Sequence, residues 1–163
     1  MKILPWLVAA SLSFVSFLPS IQTPTQGKTP AKGTLQLGNF SVSLTVKDLA
    51  KSRAFYEALG FEQAGGDAKQ GWIVLQNGEC KIGLFQGMFE RNMLTFNPGW
   101  NSAKETLPEF TDVRELQEIL EGRGLTPTTR ADPLSSGPAY FMLADPDGNP
   151  VLFDQHVPAA EPK

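Results

Sequence analysis

An internal repeat is the feature that most constrains the fold of this chain. Two amphipathic helical segments, each opened by an aspartate and closed by a glycine, match without a gap at an offset of 64 residues, from 48–60 to 112–124. The segments after each helix match at an offset of 68, so that Trp72 corresponds to Tyr140. Weak self-similarity of this kind is the signature of a duplicated supersecondary unit. The repeat predicts two copies of a β-α-β-β-β unit.

The strands of both units are predicted from short runs of alternating residues. Segment 39–46 alternates between large apolar and small polar side chains, which is the pattern of a strand with one buried face. The second unit carries an insertion at 98–110 between its first strand and its helix. The other strands are predicted at 61–64, 71–76 and 80–86 in the first unit and at 92–97, 125–130, 139–144 and 150–155 in the second.

The alternation also predicts which face of the sheet is covered. The first helix carries an apolar stripe that needs burial, formed by Leu49, Ser52, Phe55, Tyr56 and Leu59. The large residues of 39–46 must face this helix, because a one-residue slip would expose all of them. The small polar face then has no helix to cover it. The predicted fold class is α+β, with two β-α-β-β-β units that form a curved, trough-shaped mixed sheet with helices on its outer face.

The open trough is a natural ligand site, and the alternation selects its lining. Segment 87–100 is rich in methionine and aromatic residues, and the turn at 97–99 presents Trp100. Such side chains suit a flat or apolar ligand. Leu94 and Phe96 are assigned to the core. The alternative is that the trough residues fill the core or a dimer interface. We expect one continuous ligand-binding cavity lined by Ser41, Ser43, Thr45, Phe85, Met93, Thr95, Asn97, Trp100 and Leu152.

Two stretches of the chain carry a family resemblance. The stretch F-S-V-S-L-T-V-K-D-L-A-K-S-R-A-F-Y-E-A-L-G-F at 40–61 resembles the opening of the vicinal oxygen chelate superfamily, the group of glyoxalases, bleomycin-resistance proteins and extradiol dioxygenases. The stretch D-P-D-G-N-P-V-L-F at 145–153 is similar to the closing signature of that group. The resemblance covers about 37–157 and implies the two-unit fold, but it implies no particular reaction.

The resemblance also implies where a metal would bind. In the enzymes of this family a divalent ion lies on the floor of the trough, held by His, Gln or Glu from the first and last strands of each unit. Those positions fall on Ser41, Met93, Leu152 and either Gly83 or Leu84, with Gly83 preferred. None of these side chains is a suitable ligand for a hard divalent ion. We therefore expect no metal, no cofactor and no catalytic residue.

Three functions fit these features. The favoured one is binding of a small, flat or apolar molecule, as in the non-enzymatic, drug-sequestering members of the family. The second is a lyase, isomerase or dioxygenase-type enzyme of the same superfamily with atypical site chemistry. The third is a non-catalytic accessory dimer, which predicts a filled trough.

Few side chains remain for chemistry without a metal. His156 is the single histidine, and Asp154 lies two residues before it. The two could form a His–Asp pair, but a solvated strand end is favoured, because a lone histidine needs a partnered nucleophile. Glu79 and Glu90 are expected in solvated turns. Cys80, the single cysteine, allows no intramolecular disulfide and is expected to be a buried structural thiol.

The amino-terminal segment predicts export. Lys2 precedes an apolar run at 3–18, so residues 1–20 are typical of a secretory signal peptide. The run is shorter than the ~20 residues of a membrane-spanning helix, so no stable membrane span is expected after processing. Residues 21–36 are predicted to be a flexible linker, 37–157 the folded domain and 158–163 a tail. The mature protein is expected in the periplasm or secreted.

The charge of the chain and the exposed edges of the predicted sheet indicate which classes of partner to expect. All 17 acidic residues lie at Asp48 or later, and the formal net charge is −3. A mildly acidic domain has no basic surface for nucleic acid, so no nucleic-acid partner is expected. A half-open trough leaves sheet edges that need cover. We expect a homodimer with a small-molecule ligand.

Overall fold

The computed structural model describes residues 35–159, which form one mixed sheet of seven strands with two helices on its convex face. The predicted signal peptide (1–20), nearly all of the predicted linker (21–36) and the end of the predicted tail (158–163) lie outside the described residues. The elements are β1 (Asn39–Val46), α1 (Leu49–Ala58), β2 (Glu62–Asp67), a 3-10 turn (Ala68–Gln70), β3 (Trp72–Asn77), β4 (Cys80–Gln86), β5 (Met93–Asn97), α2 (Val113–Gly122), β6 (Ala139–Ala144) and β7 (Pro150–Gln155).

The sheet joins the two predicted units side by side. Its strand order is β2-β3-β4-β1-β5-β7-β6, so the first unit supplies one half and the second unit the other. The antiparallel pair β1–β5 connects the halves, and in each half the first and last strands, β1–β4 and β5–β7, are parallel. The α+β class and the two-unit architecture are confirmed.

One predicted strand is wrong. Residues 125–130 hold only an isolated bridge, between Thr129 and Met142, so β6 forms the edge of the second half. Pro127 interrupts this segment, and proline has no N–H to donate to a sheet. The described part of the second unit therefore has one strand fewer than the first.

Both helices begin in the same way. Asp48 caps α1 by accepting a hydrogen bond from the Lys51 backbone N–H at 3.0 Å, and Asp112 caps α2 through the Arg114 N–H at 2.9 Å. Side-chain acceptors of this kind pair backbone donors that a helix leaves free at its start. The two caps fix where each helix begins.

A core lies under each helix. The first is formed by Leu49 of α1 against Ile73, Leu75 and Leu84 of the sheet. The second holds Val113, Leu116, Leu120, Ala131, Phe141, Leu143 and Phe153. The strand residues in these cores are all buried. Leu35, in the predicted linker, packs against the second core.

Several predicted core positions are exposed. Phe55 and Leu59 of α1 are 61% and 56% exposed, because α1 contacts the sheet mainly through its first turn and Tyr56. Leu94 is 39% exposed, since it lies near the centre of the sheet between the areas covered by the helices. Cys80 is also exposed, not buried as expected, because it starts β4 directly after the Asn77-Gly78 hairpin turn. No helix among the described residues is long and apolar enough to cross a membrane.

Candidate ligand-binding site

The concave face of the sheet borders a cavity of about 590 Å³. This volume falls within the 300–1,000 Å³ that is typical of small-molecule sites. The structure brings eight of the nine predicted lining residues to the cavity wall: Ser41, Ser43, Phe85, Met93, Thr95, Asn97, Trp100 and Leu152. The strand alternation therefore placed the side chains on the correct face.

Thr45 is the predicted lining residue that lies outside the cavity wall. Its hydroxyl donates to the Phe89 carbonyl at 2.8 Å, and its backbone N–H donates to Asn92 Oδ1 at 3.0 Å. The link between β4 and β5 folds over Thr45 at this point. Thr45 thus positions the link, and Phe89 of that link lines the cavity instead.

Aromatic and methionine side chains gather at one end of the cavity, which we call the aromatic end. The rings of Trp72 and Phe85 are stacked, with centroids 6.1 Å apart and an angle of 6°. Phe89 packs against Phe85 at 5.0 Å, and Met88 and Met93 line the same cavity. Flat polarizable surfaces of this kind favour contact with a flat apolar molecule.

The floor of the cavity is closed by a hydroxyl pair. Ser43 and Thr95 lie on the adjacent strands β1 and β5, and their side-chain oxygens are 2.9 Å apart, in hydrogen-bond contact. Both residues are buried. Because each hydroxyl has a partner, the floor is polar without an unpaired group.

Two lysines line the cavity away from the aromatic end, and we call this the lysine end. The Lys81 ammonium donates to Asn39 Oδ1 at 3.1 Å and to the Ser102 carbonyl. Lys104 donates to the Ala64 carbonyl at 2.9 Å. Burial and the nearby Lys104 charge lower the pKa of Lys81, and Glu79 opposes this effect. The lysine end thus holds one buried cation, Lys81, and one partly buried cation, Lys104.

A His–Asp pair lines the opposite wall, on the second unit. His156 Nε2 lies 3.2 Å from Asp154 Oδ2, and the imidazole stacks on Trp100 at 4.5 Å and 19°. The favoured expectation was a solvated strand end at which His156 has no partner, and the absence of a partner is wrong. The His156 side chain is 44% exposed, but it is paired, stacked and part of the cavity wall.

The predicted cavity lining omitted twelve of the residues that line it, although segment 87–100, which includes Met88 and Phe89, was expected to supply methionine and aromatic side chains. Most lie at alternating positions of the strands, so extending the alternation along each strand would have found them. Lys104, Met88 and Phe89 lie on connecting segments whose path no period predicts. The twelve are Asn39, Trp72, Val74, Lys81, Gly83, Met88, Phe89, Lys104, Tyr140, Met142, Asp154 and His156.

Comparison with protein families identifies the chain. The family model of the Glyoxalase/Bleomycin resistance protein/Dioxygenase superfamily matches residues 40–153. The chain belongs to this superfamily. A search of curated proteins found no match.

Solved structures share the superfamily fold at low identity. A superfamily member from Vibrio splendidus 12B01 is 18% identical with a TM-score of 0.51, covering 76% of this chain and 100% of its own. An NAD-dependent benzaldehyde dehydrogenase from Legionella pneumophila is 18% identical with a TM-score of 0.54, covering 72% and 98%. A hypothetical protein from Bacillus halodurans C-125 is 16% identical with a TM-score of 0.50, covering 75% and 96%. These similarities show the fold alone.

The positions assigned to the superfamily's metal do meet on the cavity floor. Ser41, Gly83, Met93 and Leu152 all line the cavity, whereas Leu84 is fully buried on the helix side, which favours Gly83 over Leu84. The four side chains offer one neutral hydroxyl, one thioether and no carboxylate or imidazole. Among residues 35–159, no group of three or more His, Cys, Asp or Glu could hold a metal ion.

The packing at Gly83 adds a steric argument. A Cβ at this position would lie 2.5 Å from Phe85 Cε2, so the Phe85 ring occupies the space that a longer side chain would need. A carboxylate ligand at residue 83 would require this ring to move. The residues present do not fit the divalent metal of the superfamily's enzymes.

Proposed function

We propose that the protein binds a small, flat, largely apolar molecule in the cavity, without a divalent metal. The observation that carries this proposal is the combination of a cavity of about 590 Å³ with stacked rings at one end and no metal-donor set on its floor. A filled trough, which the accessory-dimer hypothesis predicts, does not agree with this cavity. Binding would draw on burial of the ligand's apolar surface, with the floor hydroxyls contributing orientation.

Titration with a neutral aromatic probe tests the proposal. N-Phenyl-1-naphthylamine is flat and uncharged, and its fluorescence rises in an apolar site. We expect saturable binding to the purified protein, weakened by about 1–3 kcal/mol in Trp72→Ala, since Trp72 stacks on Phe85 at the aromatic end and a burying aromatic contact has this magnitude. Phe55→Ala is the matched control, because Phe55 is an exposed ring on α1, outside the cavity lining. Absence of saturable binding, or equal losses in both variants, would contradict the proposal.

Metal analysis tests the second half of the proposal. Protein purified without chelators should contain well under one equivalent of Mn, Fe, Co, Ni or Zn. The floor positions Ser41, Met93 and Leu152 give the reason, because hard divalent ions prefer carboxylate and imidazole ligands. One ion per chain, removable with loss of an activity, would show that the proposal is wrong.

An enzymatic alternative rests on the His156–Asp154 pair. A carboxylate 3.2 Å from an imidazole can orient it as a general base, and this imidazole lines the cavity. In that case His156→Gln would abolish turnover of a bound compound while leaving its affinity within about threefold, a change of less than 1 kcal/mol. Equal turnover in the variant would remove this alternative.

We also propose that the protein is a homodimer. Phe40 and Leu94, on the adjacent strands β1 and β5, are large apolar side chains that are 45% and 39% exposed, and burial of such surface favours association. Light scattering across a concentration series should give twice the chain mass. A constant mass of one chain would contradict this proposal and leave the ligand site unaffected.

A further inference from the structure

The lysine end of the cavity carries positive charge without a carboxylate partner. Lys81 is only 5% exposed, and its ammonium donates to two neutral oxygens, Asn39 Oδ1 and the Ser102 carbonyl. The Lys104 ammonium donates to the neutral Ala64 carbonyl. None of the salt bridges within residues 35–159 includes either lysine. Buried charges are ordinarily paired, so this arrangement leaves room for a counter-charge.

The backbone at Lys104 is a second, independent observation. Its φ of 63° makes it the one described residue other than glycine with a positive φ. This conformation is disfavoured for a residue with a Cβ and persists where the surroundings hold it in place. Here the surroundings are the turn from Asn101, whose carbonyl accepts from the Lys104 N–H at 3.1 Å, and the contact of the side chain with Ala64. The insertion therefore brings a second cation to the cavity at a conformational cost.

We propose that the ligand carries an oxyanion, of which a carboxylate is the simplest, and that this group binds at Lys81 and Lys104 while the flat apolar body lies toward Trp72 and Phe85. The proposal rests on the proposed function and specifies its ligand class. Charge-assisted hydrogen bonds to an ammonium are stronger than neutral ones, so an oxyanion would gain from both lysines.

The electrostatics of the cavity agree with this orientation. Burial and the Lys104 charge lower the pKa of Lys81, and a bound anion would offset both effects. The carboxylate of Asp154 also lines the cavity, but it lies on β7, separated from β4 by β1 and β5, and is paired with His156. Glu79 lies two residues before Lys81, and its charge raises the pKa of Lys81, but no salt bridge joins the two among the described residues. The positive wall and the negative wall are therefore distinct.

A matched pair of compounds tests the proposal. 2-Naphthoate and 2-naphthamide have the same flat body and nearly the same size, and they differ in charge. Titration calorimetry with the full-length protein at pH 7 should give an affinity for the naphthoate about tenfold or more above that for the amide. Equal affinities overturn this inference and leave the proposed function standing. Binding of neither compound overturns both.

Lysine variants assign the preference to the site. Lys104→Gln should reduce the naphthoate preference at least threefold, since one of the two charges is lost. Lys69→Gln is the matched control, because Lys69 is exposed and outside the cavity, and it should keep the full preference. Lys81→Met should abolish the preference, with circular dichroism to verify folding because Lys81 also holds Ser102. An unchanged preference in Lys104→Gln, or an equal loss in Lys69→Gln, overturns the inference.

Discussion

Helix α2 is far more deeply anchored than helix α1, although the two occupy equivalent places in their units. Val113, Arg114, Leu116, Gln117 and Leu120 of α2 are buried, whereas Leu49 is the buried residue of α1. The cavity nevertheless draws on both units: eight of its twenty lining residues come from the first unit, ten from the second and two from the link between them. The concave face forms the cavity, and the convex face carries the helices. The contrast shows that a unit can line the cavity fully even when its helix is only shallowly packed against the sheet.

A pair of glutamines shows the same contrast in polar form. At the end of the last strand of each unit, a glutamine Oε1 accepts from the first helical N–H: Gln86 from Leu49 at 2.7 Å and Gln155 from Val113 at 2.8 Å. Gln86 is exposed, whereas Gln155 is fully buried and also donates to Asp112, Val157 and Pro158. The repeat thus conserves the connection between strand and helix, and only the second unit builds a buried network on it.

The largest expected effect is a difference in stability between variants of the two helices. Leu116→Ala should destabilise the protein by about 3 kcal/mol, because it removes a fully buried side chain and leaves a cavity in the second core. Phe55→Ala in α1 should cost less than about 1 kcal/mol, since the ring is 61% exposed. Urea unfolding of both variants measures the difference. Similar losses would show that the two helices are equally anchored in solution.

The glutamines give the next largest effect. Gln155→Leu should cost about 2 kcal/mol, because the buried Val113 N–H and the Val157 and Pro158 carbonyls lose a partner that is itself fully buried. Gln86→Leu should cost less than about 1 kcal/mol, since its exposed position lets water replace the amide. Thermal unfolding at equal protein concentration compares them. A larger loss for Gln86→Leu would contradict the conclusion that the second unit has the more strongly held connection between strand and helix.

The face that each strand residue occupies could be predicted from the sequence, because side chains in a strand alternate strictly. Ser43 and Thr95 were assigned to the trough on this ground, and they meet there at 2.9 Å. Depth of burial could not be predicted in the same way. Phe55 has the correct helical spacing for the core, but the contact of α1 with the sheet leaves it exposed. Periodicity predicts the face on which a side chain lies, whereas its depth of burial depends on how far each helix extends over the sheet.

The contacts that connecting segments make also could not be predicted from the sequence. The path of the insertion brings Ser102 to Lys81 and Trp100 to His156, and no pattern in 98–110 indicates either contact. The predicted strand at 125–130 failed for a local reason that the sequence did contain, since Pro127 lacks a donor. Alternation of side chains does not by itself supply the backbone hydrogen bonds that a sheet requires.

Two equivalent positions on the cavity floor give a smaller effect. Gly83→Ala should cost about 1 kcal/mol, at the low end for overpacking, because the new Cβ lies 2.5 Å from Phe85 Cε2 and the ring must shift. Leu152→Ala, at the corresponding strand position of the second unit, should enlarge the cavity without displacing Phe85. Binding of N-phenyl-1-naphthylamine should weaken in Gly83→Ala, because the Phe85 ring lines the cavity. Gly122→Ala is the control, since a Cβ at Gly122 meets nothing within 4 Å. Unchanged binding in Gly83→Ala would argue against a role for the Phe85 ring.

The smallest effect concerns the two capping aspartates and appears in the pH dependence of stability. Burial would raise the pKa of Asp112, but hydrogen bonds from the Arg114 backbone, Gln155 and the Arg114 side chain outweigh it and lower the pKa below its ordinary value of 3.8. A carboxylate whose pKa is lower in the folded state contributes stability above the unfolded pKa and loses it as the pH falls through the folded pKa.

Asp112→Asn keeps the capping oxygen and removes the charge, so it should destabilise the protein at pH 7 and approach the wild type as the pH falls below 3.8. The Asp48 pKa is also lowered, chiefly by the Lys51 backbone N–H, but its ion pair with Lys51 is exposed and screened by solvent. Asp48→Asn should therefore track the wild type more closely across the same range. Urea unfolding from pH 7 to pH 3 distinguishes the two. A greater acid dependence on Asp48 than on Asp112 would mean that the buried network of the second unit does not govern the response to acid.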